Sequence, residues 1–183
     1  MFSKRVLGRI IDTLRKVGVD GVVIGSTSVE LATGRESFEG DIDLLVTSMS
    51  ILASYSVLEE FTREYGCILG STWLGTPSMT CFIDGEEVTV DFFENLHDFY
   101  IPSEVVDEAI SYDILGTTVR AIRVEDYVVL KAVAGRDEDL EALRKLGNLV
   151  KNRKLKLDRR LVETRVELFS DARIVLRRLS EFL

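Results

Sequence analysis

The order of apolar and polar positions predicts a chain that alternates between helices and strands. Apolar residues recur at helical spacing from Val6 to Val17 and predict a first helix that ends at Gly18. Two short segments rich in apolar residues, 19–24 and 41–46, predict buried strands with a short helix, 28–32, between them. The later pattern predicts a helix over 51–61, strands over 67–73, 79–83 and 87–93, a helix over 102–110, a hairpin around Gly116, and two closing helices over 125–146 and 159–183.

This order predicts an α+β fold with a mixed β-sheet flanked by helices, because hairpins and helices follow the first strands instead of a regular βαβ series. We place a core at residues 1–124 and a C-terminal helical region, packed on that core, at residues 125–183. No apolar run approaches the roughly 20 residues that a bilayer-spanning helix needs. The N-terminus lacks the long apolar segment of a signal peptide. We therefore expect a cytoplasmic protein without membrane contact.

Composition agrees with a folded globular chain, since 46% of the 183 residues are hydrophobic and 30% are charged. Cys67 and Cys81 are expected to be buried thiols in a reducing compartment, not a disulfide. Two cysteines are also too few for a zinc site. Glutamine is absent while Arg and Glu are abundant, which favours a thermophilic source.

Charge is unevenly distributed along the chain. Of the 23 basic and 31 acidic residues, 13 basic and 9 acidic residues lie in 136–183, so the remainder is strongly acidic. An acidic body disfavours nonspecific binding to nucleic acid. The basic run 151–160 is interpreted as a solvated connection between helices, with contact to a phosphate backbone as the alternative.

Two carboxylates, Asp41 and Asp43, alternate on the second predicted strand. Successive side chains on a strand point to opposite faces, so these two project together. Asp91 lies on the polar side of the predicted strand 87–93, and it joins the same surface if the two strands are neighbours. Three carboxylates can hold two Mg²⁺ (or Mn²⁺) ions roughly 3.5–4 Å apart, which suits an in-line phosphoryl displacement. A solvated sheet face is the alternative for Asp91.

A Gly-Ser turn, Gly25-Ser26, joins the first strand to the short helix. Glycine lets the backbone approach a phosphate, and the helix that follows offers free N–H groups. The hydroxyls of Ser26 and Thr27 can add hydrogen bonds to triphosphate oxygens. The turn alone is weak evidence, but an Asp-x-Asp strand some 15 residues later makes it much stronger.

These elements together resemble the DNA polymerase β superfamily of nucleotidyltransferases. That superfamily has a Gly-Gly or Gly-Ser turn, an Asp-x-Asp strand and a third Asp on a later strand, matched here in order and spacing by Gly25, Ser26, Asp41, Asp43 and Asp91. The resemblance implies transfer of a nucleoside monophosphate (NMP) from a nucleoside triphosphate (NTP) to an acceptor hydroxyl, with release of pyrophosphate. It also implies that Asp41 and Asp43 bind the metals, and that Asp91 completes the site and helps to deprotonate the acceptor.

Two further segments are similar to the abortive-infection-toxin-like branch of the superfamily. One is Arg35-Glu36-Ser37 ahead of the Asp-x-Asp strand, and the other is the run 131–141. This similarity implies a phosphate contact for Arg35 and neutralisation of nucleotide phosphates by Lys131. Asp139 would orient Lys131 or a substrate group. A plain surface helix is the alternative, because eight residues along one helix separate Lys131 and Asp139 by roughly 80°.

The chain departs from the branch at two positions in this run. Glu138 stands where the branch usually has Lys, and Ala142 where it usually has a second Asp. The departures leave the three carboxylates untouched but weaken the inference that this chain has the toxin function of the branch.

A catalytically inactive nucleotide-binding or regulatory module of the same fold is the second hypothesis. A glycosyltransferase that uses Asp-x-Asp is a third, disfavoured by the short chain and the nearby Gly-Ser turn.

The expected partners follow from the transferase hypothesis. The chain would take an NTP, and the acceptor could be a tRNA end, a protein hydroxyl or a small molecule such as an aminoglycoside. A second copy of the chain or an antitoxin-like protein is a candidate partner.

His97 is interpreted as a capping or packing residue. Trp73 and the pair Phe99-Tyr100 are interpreted as core or rim, with base stacking as the alternative.

Overall fold

The computed structural model of the chain describes residues 1–96 and 99–182. The helices of this part are α1 (Lys4–Lys16), α2 (Ser26–Ala32), α3 (Tyr55–Tyr65), α4 (Ser103–Asp107), α5 (Val124–Ala134), α6 (Asp137–Lys151), α7 (Arg159–Val166) and α8 (Ala172–Ser180). The strands are β1 (Phe2–Ser3), β2 (Gly21–Val23), β3 (Ser37–Phe38), β4 (Ile42–Val46), β5 (Ile68–Ser71), β6 (Pro77–Ile83), β7 (Glu86–Phe93), β8 (Ile110–Ile114) and β9 (Thr117–Ala121).

Seven strands form one mixed sheet in the order β5-β6-β7-β4-β2-β9-β8, and β1 pairs separately with β3. The pairs β4–β7 and β2–β9 are parallel, while the other neighbours in the sheet are antiparallel. Helices flank this sheet. The predicted α+β fold with a mixed sheet and C-terminal helices is therefore confirmed.

Alternation along the central strands divides the apolar residues between two cores. Leu44 belongs to the first core, with side chains from α1 and α3. Leu45 belongs to the second core, with side chains from α5 to α8. Asp43 shares the face of Leu45, and Asp91 shares the face of Phe93. Both carboxylates therefore face the side of the sheet that the C-terminal helices cover.

The predicted closing helix 125–146 is wrong in one respect, because the structure divides it into α5 and α6. Gly135 has a φ of 61° and ends α5 in the left-handed conformation that glycine adopts easily. Arg136 then caps α6, and its backbone N–H donates to the side chain of Asp139 at 3.2 Å. The chain therefore turns between Lys131 and Asp139.

The predicted helix 159–183 is also divided, into α7 and α8. The chain turns over 167–171, and Asp171 is the N-cap residue of α8. The apolar spacing of 159–183 predicts that Leu176 and Leu183 lie on one buried face of a single helix. After the turn, Val175 is buried while Leu176 is 43% exposed. Leu183 lies outside the described residues.

The prediction of free thiols is wrong, because Cys67 and Cys81 form a disulfide. Cys67 precedes β5, and the register of β5 with β6 pairs Ile68 with Thr80. Continuing this register by one residue places the two cysteines opposite each other, with their Cα atoms 4.4 Å apart. That distance is typical of a non-hydrogen-bonded antiparallel pair and is short enough for a disulfide.

The predicted helix 102–110 is shorter than expected, since α4 ends at Asp107 and Ile110 begins β8. Across the described residues, the helices are too short or too polar to cross a membrane.

Candidate active site

Two carboxylates meet where β4 and β7 run side by side. The parallel register pairs Asp43 directly with Asp91. Asp91 is held further by Ser78 of β6, whose Oγ donates to Asp91 Oδ1 at 2.5 Å. Asp41 precedes β4 and is exposed. The structure therefore brings together the two strands on which the carboxylates were predicted.

The turn at Gly25 lies against this pair. A Cβ atom at Gly25 would overlap Asp43 Oδ2, so only glycine leaves room for the carboxylate. Ser26 begins α2 and is exposed. Thr27 is buried, and its hydroxyl donates to the backbone carbonyl of Asp41 at 3.3 Å. In this structure Thr27 therefore supports the Asp41 segment.

The carboxylates repel one another in the absence of a cation. Burial raises the pKa of Asp43 to about 7, Asp91 and Asp41 add to the shift, and Lys131 opposes it. Burial and Asp91 also raise the pKa of Asp41. Since each negative charge disfavours the next, a bound cation would relieve the repulsion.

Lys131 and Asp139, which the sequence placed only loosely on one side, are in direct contact. Lys131 Nζ donates to Asp139 Oδ1 at 2.7 Å, and Arg136 Nε donates to Asp139 Oδ2 at 2.7 Å. Burial acts to raise the pKa of Asp139, but the hydrogen bonds from Arg136 and Lys131 lower it overall. The predicted separation of 80° does not apply because the helix ends at Gly135.

Arg35 is held by acidic neighbours. Its guanidinium lies 3.0 Å from Glu30 Oε1 and 3.0 Å from Glu39 Oε1. Arg35 is absent from the described residues that line the pocket next to Asp43. A phosphate contact by Arg35 stays a prediction. His97 lies outside the described residues.

A pocket of about 200 Å³ opens beside Asp43, between the sheet and α5. Gly25, Lys131 and Asp139 line it. It also contains residues that the sequence analysis did not place at the site or assigned to the core or rim: Trp73, Phe93, Phe99, Tyr100, Tyr127 and Arg136. The pocket therefore combines carboxylates, cations and aromatic rings.

Tyr127 and Arg136 are the clearest omissions of the sequence analysis. Tyr127 is 6% exposed, and burial, with Asp43 next in effect, raises its pKa to about 12. Its ring lies under Lys131, with Nζ 5.6 Å from the ring centre. Tyr127 sits in an apolar run and carries no signal of its own. The Gly135-Arg136 step is a helix stop followed by an N-cap, and this signal could have identified the turn.

Comparison with known proteins assigns the chain to a family. Residues 3–181 match the family described as "Nucleotidyl transferase of unknown function (DUF2204)". The chain belongs to this nucleotidyl transferase family. The match confirms the resemblance to the DNA polymerase β superfamily. No curated protein matches the chain.

The chain is also similar to solved structures. One is an antigenic nucleotidyltransferase-like protein from Paracoccidioides brasiliensis, with 15% identity and a TM-score of 0.58 over 98% of this chain and 88% of that one. Another, the antibiotic-resistance factor ANT(2'')-Ia, has 14% identity and a TM-score of 0.47 over 98% of this chain and 90% of its own. The TM-score of 0.58 shows that the chain shares the fold of the first of these proteins.

The donor atoms of this nucleotidyl transferase fit a divalent metal in their chemistry, because Mg²⁺ and Mn²⁺ prefer carboxylate oxygens. Asp43 and Asp91 are paired in register, and burial, with the charge of Asp91 next in effect, raises the pKa of Asp43 to about 7. Within the described ranges, no three His, Cys, Asp or Glu side chains are grouped closely enough to hold a metal ion. Asp41 therefore stands at the edge of the pair, not in a closed group of three.

Proposed function

We propose that the protein is a Mg²⁺- or Mn²⁺-dependent nucleotidyltransferase that moves an NMP from an NTP to an acceptor hydroxyl. The acceptor oxygen forms a new bond to the α-phosphorus, and the bond from that phosphorus to the pyrophosphate oxygen breaks. Asp91 accepts the proton of the hydroxyl. Pyrophosphate leaves with its electron pair.

The observation that carries this proposal is the pairing of Asp43 with Asp91 beside a glycine that has no room for a Cβ atom. Two like-charged carboxylates held side by side, each only partly exposed, would be costly if they served only structure. Asp43 and Asp91 would hold the metal, with Asp41 as a further ligand at the edge of the pair. A metal bound there would supply stabilisation of charge on the phosphoryl group during in-line displacement.

Lys131 supports the same reaction through charge. It lines the pocket beside Asp43, and its ammonium is fixed by Asp139 at 2.7 Å. In this proposal Lys131 pairs with nucleotide phosphates, and Asp139 orients it. Gly25 and Ser26 form the turn that faces the triphosphate, and Thr27 supports this turn through its hydrogen bond to the Asp41 carbonyl. Arg35 contributes a phosphate contact after leaving Glu30 or Glu39.

The proposal is tested by incubation with each NTP labelled at the α-phosphate, Mg²⁺ and a cell lysate. We expect Mg²⁺-dependent transfer of the α-label to an acceptor in the RNA, protein or small-molecule fraction, and matching release of pyrophosphate. A γ-labelled NTP should not label the acceptor, which separates nucleotidyl transfer from phosphoryl transfer. The labelled product identifies the acceptor.

Two variants test the site itself. Asp91→Asn should lower the transfer rate about 10²-fold or more, because it removes the proton acceptor and a metal ligand. Gly25→Ala should cost about 10²-fold, because it displaces the Asp43 carboxylate. Gly70→Ala is the matched control, since a Cβ there meets only Ser78 O at 3.9 Å. Nucleotide binding without pyrophosphate release would support the inactive-module hypothesis, and full activity of Asp91→Asn would refute the assigned role.

A further inference from the structure

The pocket beside Asp43 has an aromatic wall that the proposed chemistry does not use. Trp73, the one tryptophan of the chain, lines this pocket and is 71% exposed. It lies in the turn between β5 and β6. Because Trp73 is exposed and also lines a pocket, its indole ring can contact a ligand that binds there.

The turn that carries Trp73 is ordered. Thr72 N donates to Thr76 O at 2.8 Å, and the two threonine hydroxyls are 2.8 Å apart. Leu74, the next residue, packs against the second core. The turn is therefore anchored on both sides of Trp73, and the exposure of the indole does not result from a loose loop.

Arg136 orients the indole ring. The guanidinium carbon of Arg136 lies 4.7 Å from the ring centre of Trp73. Asp139 accepts hydrogen bonds from Arg136 Nε at 2.7 Å and from Arg136 Nη2 at 3.2 Å. The same carboxylate holds Lys131 Nζ at 2.7 Å. The buried Asp139 thus fixes both Arg136, which lies against the indole, and Lys131, which lines the pocket beside Asp43.

This arrangement matches the two halves of a nucleotide. Lys131 offers charge to phosphates, while Trp73 keeps free surface for a planar ring, because Arg136 covers only part of it. Tyr100, which is 56% exposed, and Phe99 line the same pocket. Aromatic side chains stack on any nucleobase, and a side chain that is already oriented loses little entropy on binding.

We propose that Trp73, oriented by Arg136, is the platform on which the nucleobase of the NTP stacks. The proposal rests on the proposed function, since it takes the NTP as the ligand of the Asp43 pocket. Stacking without hydrogen bonds to base edges selects a base weakly, so several NTPs should bind with similar affinity.

The fluorescence of Trp73 tests this directly, because the chain has no other tryptophan. The full chain is titrated with ATP, GTP, CTP and UTP, and separately with inorganic triphosphate. We expect each NTP to quench the emission in a saturable manner. Inorganic triphosphate should compete with NTP binding but leave the emission nearly unchanged.

Variants then separate the indole from the fold. Trp73→Ala should weaken NTP binding, measured by equilibrium dialysis, about tenfold, and should not change the affinity for inorganic triphosphate. Trp73→Phe should recover most of the loss. Phe82→Ala is the matched control, since Phe82 is 68% exposed on the same hairpin and lines a different pocket.

Each outcome bears on one proposal or on both. Equal NTP affinity of the wild type and Trp73→Ala, or equal quenching by inorganic triphosphate, would overturn the stacking platform while leaving the transferase proposal intact. Quenching by NTPs with no label transfer and no pyrophosphate would support the platform and overturn the transferase. A wild-type chain that binds no NTP would overturn both.

Discussion

At the scale of single residues, Asp43 decides how the site behaves. Its carboxylate is buried against Gly25 and faces Asp91. The folded chain raises its pKa from 3.8 to about 7, chiefly by burial. Between these two values the folded state holds a proton that the unfolded state has lost. The free energy of unfolding attributable to Asp43 therefore falls as pH rises from about 4 to 7.

Replacing Asp43 with Asn should remove this dependence. We expect Asp43→Asn to be more stable than the wild type by about 1–3 kcal/mol at pH 8, and by much less at pH 5. Urea unfolding at the two pH values measures the difference. Mg²⁺ should raise the midpoint of the wild type at pH 8 but not that of the variant, because ligand binding to the folded state stabilises it.

The matched control is Asp107→Asn, which alters an exposed carboxylate at the end of α4. It should not change the pH dependence or the response to Mg²⁺. A stability difference between Asp43→Asn and the wild type that is equal at pH 5 and pH 8 would contradict the assigned electrostatics.

At the scale of elements, the turn between α5 and α6 organises the pocket. Arg178 of α8 donates to Ala132 O at 2.6 Å and to Val133 O at 3.1 Å, so it satisfies carbonyls at the end of α5. A Cβ atom at Gly135 would overlap this guanidinium. The turn and α8 are therefore built around each other, and Asp139 joins the turn to Lys131.

Asp139→Asn should weaken this turn. The variant keeps the shape of the side chain but loses the charge that faces Lys131 and Arg136, and we expect the free energy of unfolding to fall by about 2 kcal/mol. Glu138→Gln is the control, because Glu138 is exposed and should change stability by less than about 0.5 kcal/mol. Urea unfolding of both variants provides the measurement, and equal effects would show that burial of Asp139 is unimportant.

Local patterns were sufficient to predict which side of a strand each side chain faces, but not which strands lie next to each other in the sheet. Alternation placed Asp41 and Asp43 on one side of their strand and assigned Asp91 to one side of its own, since this depends only on adjacent residues. The parallel pairing of β4 with β7 depends on how the chain crosses the sheet, which the spacing does not contain. The resemblance to a known superfamily implied only that Asp91 completes the site.

The errors in the sequence analysis have different causes. Gly135 gives a local helix-stop signal that the prediction of one helix over 125–146 did not use, and Arg178 of α8 packs against the resulting turn. The prediction for Cys67 and Cys81 relied on compartment, while the register of β5 with β6 places them opposite each other. Thr27 is buried, and its hydroxyl donates to the carbonyl of Asp41, a partner that the sequence pattern does not indicate.

At the scale of the whole molecule, the two parts of the chain share one core. The second core contains Val22 and Leu45 of the sheet together with side chains from α5 to α8. A buried ion pair adds to it: Arg165 Nε donates to Asp126 Oδ1 at 2.7 Å, and Arg165 Nη2 donates to Glu108 Oε2 at 2.6 Å. The division into 1–124 and 125–183 therefore stays a prediction that unfolding can test.

We expect the chain to unfold as one cooperative unit, because the second core contains residues of both parts. Trp73 fluorescence reports on residues 1–124, and far-UV circular dichroism reports on the helices of both parts. The two signals should give the same urea midpoint in the oxidised protein. Arg165→Met should lower the free energy of unfolding by about 3–5 kcal/mol, because it leaves Asp126 buried without its partner. The urea midpoints of the two signals should therefore fall together. Arg173→Met is the control, because Arg173 lies at an exposed position of α8. Separate midpoints for the two signals would show that the two parts fold independently.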